Sequence, residues 1–278
     1  MPIGTAVKVT GPAIRVVLCT SGGVFGALVL RELLADRRVE VVGVVRSTRV
    51  LTPGGGWIRD VLALWRRSGL RYLAYLACAT SGAELAGRWI GLPPVARVAR
   101  TRRIPLLATP DVNRPAAVDF LAALRSDVLV SAFFNQRIGA AVCAMPAAGA
   151  INVHPSLLPE FKGVDPVFFA RLRGARALGV TVHRVTPEFD AGAVLAQTEV
   201  AIAPDASVLA ATAELFARGA KALCDCLPAV LSGDPGRPQP PGGSYDSWPD
   251  PAQVLRLRRS GHRLVALADW RLPRALLD

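Results

Sequence analysis

The sequence lacks the residue sets that disulfide scaffolds and zinc sites require. It has five cysteines, an odd number without any CxxC spacing, and only three histidines. Such a set does not build a disulfide framework. Cys224 and Cys226 lie close together, but no second cysteine pair completes a zinc site. We therefore expect free thiols and no metal. Because no signal-peptide pattern precedes the first predicted strand, we also expect a cytoplasmic protein.

The sequence also lacks a basic motif interleaved with aromatic residues. Aromatic residues make up only 6% of the chain, and its arginines are scattered along the whole length. Proteins that bind RNA usually cluster such residues on one element or face. The net charge of +12 therefore supports anionic ligands or surfaces only weakly. A nucleic-acid partner is disfavoured but stays open.

Apolar residues are abundant and make up 51% of the 278 residues, which is enough to bury a sizeable core in one principal domain. The segment Ile14 to Thr20 is nearly continuous in apolar residues, as in a buried parallel strand. A turn at Ser21 to Gly23 then leads into a helix that continues through Leu34. Its spacing is not the dinucleotide fingerprint GxGxxG, so a nucleotide cofactor is not expected there. Further strands are predicted from Val39 to Val45, Asp127 to Ser131 and Ile151 to His154. Strands that alternate with helices predict a doubly wound α/β sheet.

A pair of polar residues stands at the end of the last of these strands. Asn152 and His154 are two residues apart in GAINVHPSLLPEFKG, so their side chains project from the same face of a strand. An amide beside an imidazole suits attack on a carbonyl-type carbon, because the amide can bond a developing oxyanion and the imidazole can handle a proton. Asp190 in VTPEFDAG supplies a carboxylate. His183, on an alternating strand leading toward Asp190, is expected to play a structural role.

The run from Asn152 to Pro159, followed by Gly163 and by Asp190 in FDAG, resembles the folate-dependent formyltransferases. This family includes glycinamide ribonucleotide, methionyl-tRNA and sugar N-formyltransferases. The resemblance extends more weakly from about Ile14 to about Ile202 and implies a Rossmann-like formyltransferase fold. It also implies 10-formyltetrahydrofolate as formyl donor and an amine as acceptor. It assigns Asn152, His154 and Asp190 to the catalytic triad.

The resemblance also indicates where folate would bind. The segment Ser131 to Ile138, SAFFNQRI, leads from a strand into a loop, and its family counterpart lines the pterin pocket. Together with Asn152 and Asp190, three residues of this loop are the expected folate contacts: Phe134, Asn135 and Ile138. Plain packing at the strand end is the alternative role for this loop.

The chain departs from the family pattern in a helical insertion from about residue 51 to about residue 92. We predict two helices there, and neither apolar stretch reaches the roughly 20 residues of a membrane span. Its aromatic and basic residues would suit an interfacial surface for anionic lipid, as a peripheral contact at the inner membrane surface. These residues are Trp57, Trp65, Arg66, Arg67, Arg71, Tyr72 and Tyr75. A helical lid or a homodimer contact is the favoured interpretation.

We predict three parts of the chain, namely a leader over 1–13, a catalytic domain over 14–232, and a Pro/Gly-rich connector with a short C-terminal extension over 233–278. A helix is predicted from Ser207 to Leu231. The tail after Ser244 is too short for the oligonucleotide-binding barrel that methionyl-tRNA formyltransferases carry at this end. The expected acceptor is therefore an amino sugar or another small or lipid-linked amine. The alternatives are a methionyl-tRNA formyltransferase, a formyltetrahydrofolate hydrolase, and a non-catalytic folate-binding protein.

Overall fold

The computed structural model describes residues 12–52, 56–82 and 92–271, and a seven-stranded sheet lies at the centre of them. Most of the predicted leader, part of the insertion and the last residues of the tail lie outside the described residues. In spatial order the strands are β3 (Leu106–Thr109), β2 (Val39–Ser47), β1 (Ile14–Thr20), β4 (Val128–Ala132), β5 (Ala150–His154), β7 (Leu178–Arg184) and β8 (Val194–Val200).

The sheet is parallel from β3 to β5, whereas β7 and β8 are antiparallel to their neighbours. The prediction of a doubly wound α/β fold is confirmed. The strand from Ile14 to Thr20 has the predicted bounds, and those of β2, β4 and β5 differ from the prediction by one or two residues. Strand β3 has only four residues and is not among the predicted strands.

Helices cover both faces of the sheet. Phe25 of α1 (Gly23–Ala35) stacks on Phe216 of α7 (Val208–Leu231) with ring centroids 5.3 Å apart. Leu121 of α4 (Pro115–Leu124) and Val142 of α5 (Ala140–Cys143) lie in a second core cluster. Ser207 caps α7, because its side chain accepts a hydrogen bond from the Ala210 N–H. The bounds are α1 (Gly23–Ala35), α2 (Trp57–Ala77), α3 (Val95–Thr101), α4 (Pro115–Leu124), α5 (Ala140–Cys143), α6 (Pro166–Leu172), α7 (Val208–Leu231) and α8 (Pro251–Arg259).

The described part of the insertion is α2 followed by a π-helical turn, Cys78–Gly82. Helix α2 is kinked at Gly69, whose φ of 81° is not helical, so it consists of two helical pieces. The assignment of Tyr72 and Tyr75 to an interfacial surface is wrong, since the two side chains are 0% and 3% exposed. They point inward because Tyr72 packs against Phe168 of α6 and Trp248. Trp57, Trp65, Arg66, Arg67 and Arg71 are exposed, as predicted.

A second, two-stranded sheet pairs β6 (Lys162–Gly163) in parallel with β9 (Tyr245–Asp246). It joins the Pro/Gly-rich connector to the loop that follows β5. Among the described residues, no helix is long and apolar enough to cross a membrane.

Candidate active site

Strand β5 places Asn152 and His154 at the carboxyl end of the parallel strands. Open α/β sheets bind their ligands at this edge. The neighbouring antiparallel strand β7 sets His183 directly opposite Asn152 in the sheet register. Both histidine side chains are buried, and their ring centroids lie 6.3 Å apart.

His183 contacts two members of the predicted triad. Its Nδ1 lies 2.8 Å from the backbone oxygen of Arg184, and since a carbonyl can only accept, Nδ1 carries the hydrogen. The other nitrogen, Nε2, then accepts from Nδ2 of Asn152 at 3.1 Å. The same Nε2 lies 3.6 Å from Oδ1 of Asp190. The imidazole of His183 therefore fixes which end of the Asn152 amide faces it.

The ring of His154 is oriented in the same way. Its Nε2 lies 3.0 Å from the backbone oxygen of Phe161, so Nε2 carries the hydrogen in the neutral ring. This leaves Nδ1 as the basic nitrogen, 3.5 Å from Oδ1 of Asp190. Burial lowers the pKa of the His154 imidazole below its usual value, although Asp190 and the Phe161 carbonyl act in the opposite direction. The ring is therefore neutral at pH 7.

Asp190 sits on a turn after β7 with a left-handed φ of 51°, which non-glycine residues rarely adopt. Its Oδ2 accepts a hydrogen bond of 2.9 Å from the Gly163 N–H. Burial raises the pKa of this carboxyl, but His154, His183 and the Gly163 N–H outweigh burial and hold the pKa well below its usual range. Asp190 is therefore an anion at neutral pH.

A groove at this edge of the sheet brings two residues of the predicted triad together with much of the SAFFNQRI loop. Asn152, His183 and Asp190 line it, together with Phe134 and Ile138. His154 is not one of its lining residues and meets them through Asp190. The remaining lining residues are Ser131, Gln136, Arg137, Val185, Thr186, Pro187, Glu188 and Phe189.

Asn135 lies outside this groove. Its Oδ1 accepts from the hydroxyls of Ser21 (3.1 Å) and Ser47 (2.6 Å), and its Nδ2 donates to the backbone oxygen of Arg49 at 2.8 Å. The side chain therefore ties neighbouring loops together, and a folate contact through it remains a prediction. The contacts of Phe134, Ile138, Asn152 and Asp190 with folate also remain predictions.

Sequence reasoning missed the direct contacts of His183 and the role of two backbone groups, the Phe161 oxygen and the Gly163 N–H. The alternating pattern of GVTVHRV predicts the strand, but only the pairing of β5 with β7 shows that His183 faces Asn152. Backbone donors and acceptors are present in nearly every residue, so no residue pattern marks them.

Among the described residues there is no cluster of three or more histidine, cysteine or acidic side chains that could hold a metal. All five cysteines are free, and Cys19 and Cys224 are buried. Burial raises the pKa of the Cys19 thiol above its usual value and raises that of Cys224 to about 12, so neither is a thiolate at neutral pH.

Residues 79–227 match the family model described as formyl transferase. Over 210 residues the chain is 37% identical to the methionyl-tRNA formyltransferase of Roseiflexus castenholzii. The match covers 75% of this chain but only 56% of that relative, so the chain spans little more than half of the relative's length.

Two solved structures share the fold. A sugar N-formyltransferase from Shewanella superposes with a TM-score of 0.54 at 16% identity, over 84% of this chain and 76% of that one. The glycinamide ribonucleotide transformylase 1 of Symbiobacterium toebii superposes with a TM-score of 0.55 at 18% identity, over 83% of this chain and 93% of that one. At these identities the likeness concerns the fold alone.

Proposed function

The chain belongs to the formyl transferase family, and from that premise we propose that it transfers a formyl group from 10-formyltetrahydrofolate to an amine. The observation that carries this proposal is the convergence of Asn152, His183 and Asp190 on one groove at the carboxyl edge of the sheet, with Nδ1 of His154 beside Asp190. The donor would occupy the groove beside Phe134 and Ile138.

Asn152 would stabilise the negative charge of the reaction. When the amine nitrogen bonds to the formyl carbon, the formyl oxygen gains that charge. The Asn152 amide has two N–H bonds, and one of them points to Nε2 of His183. The other is available to the formyl oxygen, and the bond to His183 holds it in place. A fixed donor of this kind is typically worth about 3 kcal/mol of transition-state stabilisation.

His154 and Asp190 would move the proton that the amine loses. Nδ1 of His154 is the basic atom, but His154 does not line the groove, whereas Asp190 does. We propose that Asp190, directly or through a water, passes the proton to Nδ1 and stabilises the imidazolium that forms. The proton then leaves on the nitrogen of tetrahydrofolate when the carbon–nitrogen bond of the donor breaks. Burial favours the return of His154 to its neutral form.

The acceptor that we propose is an amino sugar or another small or lipid-linked amine. The fold is shared with a sugar N-formyltransferase and with a glycinamide ribonucleotide transformylase alike, so it is compatible with a small amine acceptor and does not select one. The 37% identity with a methionyl-tRNA formyltransferase supports a second candidate acceptor, a charged tRNA.

One assay separates these activities. The protein is incubated with 10-formyltetrahydrofolate and, in separate reactions, nucleotide-linked amino sugars, methionyl-tRNA, glycinamide ribonucleotide or no amine. Release of tetrahydrofolate is followed by absorbance and the product is identified by mass spectrometry. We expect a formylated amino sugar, and none with His154→Ala. Formate released without an amine would identify a hydrolase. Donor binding without turnover would identify a folate-binding protein.

The insertion is proposed to govern access of the acceptor. In the described part of the insertion, the exposed face of α2, which comprises Trp57, Trp65, Arg66, Arg67 and Arg71, carries no acidic side chain, because Asp60 is buried. In a symmetric dimer built on this face, arginines would meet arginines, which opposes pairing with a second copy. An anionic bilayer suits the same face better. A lid that closes over the acceptor is the other version.

A cytoplasmic location, for which the cysteines argue, stays a prediction.

A further inference from the structure

The segment 237–246 crosses both loops of the catalytic site, and we call it the C-terminal strap. At one end it holds the turn that carries Asp190. Nε2 of Gln239 donates to the backbone oxygens of Asp190 at 2.9 Å and Gly192 at 2.8 Å. Arg237 and Val194 exchange two backbone hydrogen bonds beside this turn. Because Asp190 has a left-handed backbone, the turn needs such external bonds to keep its shape.

At its other end the strap holds the loop after β5. The Ser244 hydroxyl accepts from the Phe161 N–H at 3.0 Å, and the Ser244 backbone oxygen accepts from the Lys162 N–H at 2.8 Å. The Asp246 backbone oxygen accepts from the Val164 N–H at 2.8 Å. These bonds leave the catalytic loop little freedom to shift along the strap.

The residues that the strap holds are those that orient the catalytic groups. The Phe161 carbonyl binds Nε2 of His154, and the Gly163 N–H binds Oδ2 of Asp190. A change in the backbone at 161–163 would therefore alter both the tautomer of His154 and the position of Asp190.

The strap also touches the catalytic loop backbone to backbone. A Cβ atom on Gly243 would lie 1.9 Å from the backbone oxygen of Pro159, which no side chain can tolerate. A Cβ atom on Gly242 would meet no atom within 4 Å. The two glycines share a positive φ, 87° and 101°, so alanine strains the backbone at both positions. Only at position 243 does the contact with the catalytic loop require a glycine.

We propose that the C-terminal strap is a positioning element of the active site. It holds the Phe161 carbonyl against Nε2 of His154, so that Nδ1 stays the basic nitrogen, and it holds the Asp190 turn in its left-handed form. The strap lies beyond residues 79–227, which the family model matches. The position of the ring hydrogen of His154 does not depend on the proposed function. The expected effect on turnover does rest on that function.

Nitrogen NMR of the imidazoles tests the strap without any substrate. The chain has three histidines, so the ring signals can be assigned by substitution. In the wild type and in Gly242→Ala we expect His154 as a single tautomer with its hydrogen on Nε2. In Gly243→Ala we expect mixed tautomers and faster exchange of that hydrogen with solvent. Identical His154 signals in the two variants would overturn the proposal.

Gln239 provides a second variant in case Gly243→Ala does not fold. Gln239→Leu keeps a similar volume but removes both hydrogen bonds to the Asp190 turn. Turnover should fall about tenfold or more with little change in the donor KM, since displacing catalytic groups by about 1 Å costs up to about a hundredfold. The shape of its pH profile should change as well. Full turnover with an unchanged pH profile in Gln239→Leu would refute the role of the strap. A wild type without turnover would instead refute the proposed function and leave the NMR result valid.

Discussion

Nδ1 of His154, at the end of strand β5, lies 3.5 Å from Oδ1 of Asp190, on the turn after β7. In the neutral ring Nδ1 carries no hydrogen and the Asp190 carboxylate can only accept, so the two atoms share no hydrogen bond until a proton reaches Nδ1. The pair is therefore arranged to stabilise the imidazolium once a proton arrives, with Asp190 facing the groove.

The first prediction concerns the triad. Asn152→Ala, His154→Ala and Asp190→Ala should each lower turnover by about a hundredfold or more, because each removes charge stabilisation or proton transfer. Losses in double variants should be less than multiplicative, since the three groups act together. Turnover is measured with the acceptor that the formyl-transfer assay identifies, and circular dichroism checks the fold. A folded His154→Ala protein with nearly normal turnover would contradict the assignment.

The second prediction concerns His183, which holds the amide of Asn152. His183→Leu should lower turnover by about tenfold with little effect on donor affinity, because the amide loses its orientation. His183→Gln offers an oxygen that can accept from the amide and should recover part of the rate. If the two variants have equal turnover and equal melting temperatures, the orienting role of His183 fails.

The third prediction places folate in the groove. Phe134→Ala should weaken binding of 10-formyltetrahydrofolate by about tenfold to a hundredfold, because an apolar contact of this size is worth about 1.5–3 kcal/mol. Leu231→Ala is the control, since Leu231 is an exposed apolar residue at the end of α7 that does not line the groove. Fluorescence titration gives both dissociation constants. An equal loss in the two variants, or a crystal with the pterin elsewhere, would reject this site.

The fourth prediction concerns Asp165, which anchors the insertion. Its Oδ2 accepts from the Tyr72 hydroxyl at 2.9 Å, and burial raises the pKa of its carboxyl to about 6. A carboxyl whose pKa is raised in the folded protein stabilises the fold in its protonated form. This stabilisation is complete below the pKa of the unfolded chain, near 4, and is lost as the pH rises through about 6. Asp165→Asn avoids burying a charge, and asparagine tolerates the left-handed φ of 51°.

Relative to the wild type, the melting temperature of Asp165→Asn should therefore rise between pH 5 and pH 7.5. Asp119→Asn, which changes an exposed aspartate on α4, serves as the control. If the difference in melting temperature between Asp165→Asn and wild type does not vary with pH, the pKa of Asp165 is not raised in the folded protein.

The fifth prediction concerns the exposed face of α2, where Trp57 is 70% and Trp65 is 47% exposed. If it meets a membrane, the protein should sediment with anionic liposomes at low salt and less at high salt. Replacing Trp57 and Trp65 by alanine should then reduce binding more than removing two exposed arginines of α8, Arg258 and Arg259. If α2 is a lid, liposomes should have no effect and the tryptophan changes should raise the acceptor KM.

The sequence alone determined the alternation of strands with helices and the residue types of the candidate site. Continuous apolar runs mark buried parallel strands, so Ile14 to Thr20 and the end of β5 could be placed to within a residue or two. Strand alternation put Asn152 and His154 on one face. The match to the family motif brought in Asp190, which no local pattern connects to β5.

Tertiary structure decided which groups orient these residues. The pairing of β5 with β7 put His183 against Asn152. Packing on α6 buried Tyr72, although the aromatic and basic composition of the insertion suggested that this residue lies on a surface. The Phe161 carbonyl and the contacts of Gln239 depend on where distant backbone segments meet, and a backbone group has no signature in the amino-acid sequence. Residue types limit the chemistry that the proposed site could perform, while long-range packing determines which nitrogen of the neutral His154 ring lacks a hydrogen.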